Sequence, residues 1–139
     1  MAPTTYADFV YALEATDITG VQKQFFKGMP DSLSTAQLPC QWVQLPAGEE
    51  PILTFQTQGG WPTLTATLVV VINPIAQDLR GNNFDASLAM MDNISSALRS
   101  AAPLTYAKAG LINWEMRLEI VEVAGTLYWA ILTDVTGRG

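Results

Sequence analysis

The sequence predicts an α+β domain, an antiparallel sheet with its helices packed on one face, on three observations. Ile112, Trp114, Met116, Leu118 and Ile120 alternate with Asn113, Glu115, Arg117 and Glu119, the period of two that a half-buried strand requires. Phe84, Leu88, Met91, Ile94 and Leu98 instead recur at spacings of four, three, three and four, an apolar stripe of helical period. The segments follow the order α-β-β-β-α-β-β, with connections too short for parallel crossovers. No repeat, low-complexity tract or linker interrupts residues 1–139, so one domain accounts for the chain.

Each element has its own warrant. Residues 4–15 are expected to be helical, because Tyr6, Phe9, Val10 and Leu13 share one stripe and Thr4 or Thr5 can cap it. Thr16, Asp17, Thr19 and Gly20 break that pattern. Residues 21–27 fit a short helix or an extended piece equally, Gly28-Met29-Pro30 ends them, and residues 31–38 read as a connecting loop. A strand over 41–45 follows, then a turn-rich hairpin loop over 46–51 and a second strand over 52–57. After Gly59-Gly60-Trp61-Pro62, residues 63–72 alternate threonine with apolar residues and finish in Val69-Val70-Val71-Ile72. Such an unbroken run marks a strand buried on both faces, hence a central one, stopped by Asn73-Pro74. Asn82 or Asn83 can cap the second helix, which runs to about Ala101 before Pro103. The last pair of strands forms a hairpin across Ala124-Gly125, with Leu127, Trp129, Ile131 and Val135 restarting the alternation. The second helix is the natural cover for its apolar side.

Composition narrows the function. The chain is 49% hydrophobic and only 14% charged, against a usual charged share of about 25%, so part of its neutral surface is expected to meet a partner. Apolar runs are strand-sized, and the start Met-Ala-Pro-Thr-Thr lacks a secretory pattern, which reads as a cytoplasmic chain without a membrane span. Seven basic residues against thirteen acidic ones give a net charge of −6, and the basic ones are never adjacent. Tight duplex binding needs clustered cations; this chain has no such cluster.

Catalytic constellations are equally scarce. There is no histidine, so the commonest general base and zinc ligand is missing. Cys40 is the single cysteine and reads as a small buried hydrophobe. The glycines match no phosphate-cradling loop, Asp78, Asp85 and Asp92 match no calcium loop, and no serine has a base beside it. Glu115 and Glu119, with Arg117 between them, read as a solvated or intersubunit face. No enzyme, no cofactor and no metal are therefore expected. Trp114 and Trp129 read as core, whereas Trp61 at a strand entrance is the aromatic best placed to anchor an interface.

The pattern also carries a resemblance. An N-terminal helix, Leu38-Pro39 leading into strands, Val69-Val70-Val71-Ile72, the helix with Leu88, Met91, Ile94 and Leu98, and the hairpin from Trp114-x-Met116-x-Leu118 to Tyr128-x-Ala130-x-Leu132 follow one another. In order and length this resembles the tail terminator (tail completion) proteins of tailed bacteriophages. The resemblance implies a structural virion protein of the viral tail, without catalytic residues. It implies a homo-oligomer, a hexamer ring, capping the tail tube protein and docking the head-tail connector or neck proteins, with the sheath as a further neighbour in contractile tails. DNA passes through such a ring without specific binding, and the chain meets its partners in the host cytoplasm during virus assembly. The subunit interface is expected at Trp61, at a sheet edge over 52–57, and at Glu115, Arg117 and Glu119. A neck or head-completion subunit, or a non-viral α+β ligand-binding module, is the alternative.

Overall fold

A computed structural model describes residues 6–45, 47–49, 63–75, 80–101 and 111–138. Its elements are α1 (Tyr6–Glu14), β1 (Lys23–Gln24), β2 (Cys40–Val43), β3 (Ala47–Glu49), β4 (Thr63–Pro74), α2 (Asn82–Ala101), β5 (Leu111–Val123) and β6 (Thr126–Arg138). The sheet order is β1-β2-β4-β6-β5, with β3 also paired to β4. All pairings are antiparallel except the short β1–β2 one. The class is α+β, as expected.

Two faces of β4 build two cores. Leu64, Leu68, Val70 and Ile72 join Ile131 and Val135 of β6, Phe9 and Leu13 of α1, and Met90, Ile94 and Leu98 of α2 in one cluster. Both helices thus lie on the same side. Val69 and Val71 point the other way and join Cys40, Trp42, Tyr128, Ala130 and Leu132. Burial of Val69, Val70 and Val71 is complete, so the unbroken apolar run does mark an interior strand with a cover on each side. The second cover comes from residues 25–38: Leu38 is part of that cluster, and Phe25 and Leu33 pack against it. Residues 31–38 therefore do more than connect, since Leu33 and Leu38 help to close this core.

One expectation is corrected and one open alternative is settled. The hairpin loop expected over 46–51 contains a strand, because Ala47, Gly48 and Glu49 pair with Thr65, Leu64 and Thr63. β2 covers only Leu68 to Val71 of β4, which leaves the start of β4 with unpaired backbone groups, and the chain satisfies them by pairing again. The Gln44 N–H donates to the Thr67 carbonyl at 2.9 Å and bridges the two pieces. The ambiguous segment over 21–27 is extended at β1, whose Lys23 and Gln24 run parallel to Cys40 and Gln41. The strand expected over 52–57 lies outside the described residues.

The hairpin turn is a two-residue one, with φ of 51° at Ala124 and 82° at Gly125. Positive values at both central positions give the type I′ turn whose twist matches paired strands. Val123 and Thr126 close it.

Candidate functional site

β5 ends the sheet order. Its thirteen residues give an outer edge roughly 40 Å long at the usual rise per residue. Toward β6 it is fully paired, from Asn113↔Thr136 to Val123↔Thr126. Along the other side, every second residue presents backbone groups that no strand among the described residues takes up.

On the helix side, Trp114 and Met116 are half-buried and pack against the main core, and the Trp114 indole N–H donates to Ser95 Oγ of α2 at 3.4 Å. This is the cover expected of the second helix, and Trp129 packs against the same cluster. The cover stops there. Leu118 and Ile120 continue the apolar stripe yet are 45% and 47% exposed. On α2 the expected stripe is also only partly buried. Ile94 and Leu98 are interior and Met90 joins them, while Phe84 and Leu88 are 54% and 47% exposed. The helix is turned so that Met90 takes the inward place that the spacing assigned to Phe84 and Leu88.

On the opposite face, Glu115, Arg117 and Glu119 all point away from the helices. Arg117 Nε donates to Glu119 Oε2 at 3.0 Å, and Nη1 donates to Asp134 Oδ2 on β6. Asp134 Oδ1 accepts in turn from Thr67 Oγ1 of β4 at 2.6 Å. The hydrogen bond it donates to Asp134, then that to Glu119, raises the Arg117 guanidinium above its already high ordinary pKa. It is a permanent cation held between two carboxylates. Farther along, Thr65 and Thr136 hydroxyls pair at 3.2 Å. The structure therefore joins Arg117 and Glu119 to Asp134 and Thr67, two residues that sequence reading did not single out. Glu115 lies on the same face, opposite Asp134. Trp61 lies outside the described residues.

Cys40 is fully buried, and burial pushes its thiol up to about 12, with a smaller opposing pull from a Val71 backbone hydrogen bond. It stays protonated at neutral pH and is no nucleophile. Among the described residues, no three His, Cys, Asp or Glu side chains gather as a metal site, and no helix is long and apolar enough to cross a membrane. Neither a protein-family model nor a curated protein sequence matches this chain.

Proposed function

We propose that this protein is a structural subunit of a tailed-phage virion, a tail terminator whose copies form a ring that caps the tail tube and joins it to the head connector. One observation carries the assembly part: among the described residues β5 is a long edge strand without proline, exposing Leu118 and Ile120. Long edges are normally blunted by short strands, prolines, charges, bulges or covering elements; β5 is long and proline-free, with its charges at 115, 117 and 119 on the face opposite Leu118 and Ile120 and its one irregularity at its start. An edge left open in this way suits a strand that another copy covers. A ring needs two different complementary patches on each protomer, and β5 supplies one of them. The chain order, resembling the terminator proteins, supports the station in the tail. The net charge of −6 suits a channel through which DNA slides without sticking. In this reading the protein is no enzyme, and its place is the tail or neck of the virion.

Negative-stain images of the purified protein are expected to show rings with six-fold symmetry. Added to growing tail tubes, those rings stop polymerisation. A monomer that neither forms rings nor binds tubes contradicts the reading. Binding to DNA-filled heads but not to tails would move the subunit to the neck.

A further inference from the structure

We propose that the groove between α1 and the turn at residues 27–29 seats β5 of a second copy of this chain, whose Leu118 and Ile120 enter it; this rests on the ring reading and names the second patch that a ring requires. The groove encloses about 800 Å³ and is walled by Val10 and Tyr11 of α1, by Met29, and by Trp42 and Leu45. Tyr11, Met29 and Leu45 are exposed, Leu45 at 94%. A cleft of this size takes a drug-sized molecule, so two aliphatic side chains fit it. The groove also runs along an open sheet edge. β1 pairs with β2 only at Cys40 and Gln41. The Phe25 N–H donates to the Gln41 carbonyl at 2.8 Å, and the turn then leads the chain away, with φ of 65° at Lys27 and 99° at Gly28. Along β2 the Gln44 N–H turns toward Thr67 of β4. Alternation therefore aims the main chain of Val43 outward, where no strand among the described residues meets it.

The two ends of the sheet fit each other in direction, side and charge. The groove lies by β1 and β2, at the opposite end of the sheet order from β5. Each step from β2 through β4 and β6 to β5 is antiparallel, so β5 runs opposite to β2. A second sheet repeated beside the first thus pairs antiparallel across the junction and keeps its helices on the same side. Leu118 and Ile120 share the face of Trp114 and Met116, which pack with the helices, and α1 walls the groove on that side. Lys23 of β1 and Lys27 at the groove are exposed, whereas β5 carries Glu115, Glu119 and Glu122 against one Arg117. A basic end therefore meets an acidic one, which fixes partner and register. A strand added to an open edge gains main-chain hydrogen bonds, while pockets for alternate side chains give specificity; Leu118 and Ile120 are such an alternate pair. Because the two patches differ, the contact repeats from copy to copy instead of closing a dimer.

The test mixes two variants of the full chain in sedimentation velocity. Tyr11→Asp/Leu45→Asp spoils the groove and leaves β5 intact; Leu118→Asp/Ile120→Asp does the reverse. All four side chains are exposed, so circular dichroism should show both variants folded, and Met29→Asp replaces the groove variant if that one unfolds. Each variant alone is expected to lose assembly and run as a monomer. Their mixture is expected to form a dimer that grows no further, because it retains one native groove facing one native β5. A groove variant that assembles like a hexameric wild type would overturn the proposal while leaving the ring reading in place, and would assign the groove to a small apolar ligand or a different protein. A mixture that stays monomeric overturns it as well. A wild type that is monomeric at every concentration removes the ring reading and the proposal with it.

Discussion

β5 and β6 have the same length, the same alternation and a shared turn, yet one belongs to the core and the other to the surface. On β6, Tyr128, Ala130, Ile131, Leu132 and Val135 are all buried. On β5, Val123 alone among the described apolar residues is buried, and Leu118 and Ile120 stand half in solvent. The difference comes from position, not composition. β6 lies between β4 and β5, so helices cover one face and the Phe25, Leu33 and Leu38 layer meets much of the other. Among the described residues β5 has a neighbour on one side only, and the helix cover reaches no farther than Trp114 and Met116. Alternation tells which side of a strand is apolar; sheet order tells whether anything covers it.

Core truncation on β6 should show the largest effect. Ile131→Ala, at a buried residue of the main cluster, is expected to cost about 3 kcal/mol in denaturant unfolding. Leu118→Ala or Ile120→Ala on β5 should cost about 1 kcal/mol or less in the dissociated chain, since half of each side chain already meets water. Equal losses on both strands would break the comparison. Cys40 sharpens it within the covered half of the far face. Its folded thiol, raised from 9.0 to about 12, favours the fold fully below pH 9. That contribution should fade as pH climbs from 9 toward 12, up to about 4 kcal/mol in all. Cys40→Ala should flatten the alkaline part of the stability–pH curve, and the native thiol should resist alkylation at pH 8 until urea is added. At the turn, Ala124 pays for a φ of 51°, so Ala124→Gly should stabilise by about 0.5–1 kcal/mol in thermal unfolding. On the exposed polar face, Arg117→Ala should change stability by under about 1 kcal/mol, and 1 M salt should erase the difference.

Long periodic segments were legible from sequence, and short or aperiodic ones were not. The second helix, the strand through Val69-Val70-Val71 and the hairpin at Ala124-Gly125 each repeat a pattern over many residues, and the structure places them as expected. β1 and β3 have two and three residues, too few for any period to register, and pairing with a longer neighbour decides them. Phe25, Leu33 and Leu38 cover the far face without a shared spacing, so nothing local marks them as core. Of the candidate site, Arg117 and Glu119 were readable from their alternating charges. Asp134 and Thr67 were not, because register across three strands brings them together. Glu14 and Gln41 carry no local sign of burial either; they are interior because each answers a backbone group far along the chain. Phe84 and Leu88 kept the spacing of a core stripe and still face solvent, since a periodic face wider than its cover leaves part of itself outside.

Sedimentation velocity tests the central claim about β5 most directly, with the wild-type chain beside a Leu118→Asp/Ile120→Asp variant. Wild type is expected to sediment as a hexamer of the 15.1 kDa chain, and the variant as a folded monomer whose core unfolds at nearly the denaturant concentration of the dissociated wild type. A wild-type monomer at every concentration, or a variant that still forms the hexamer, would contradict the account.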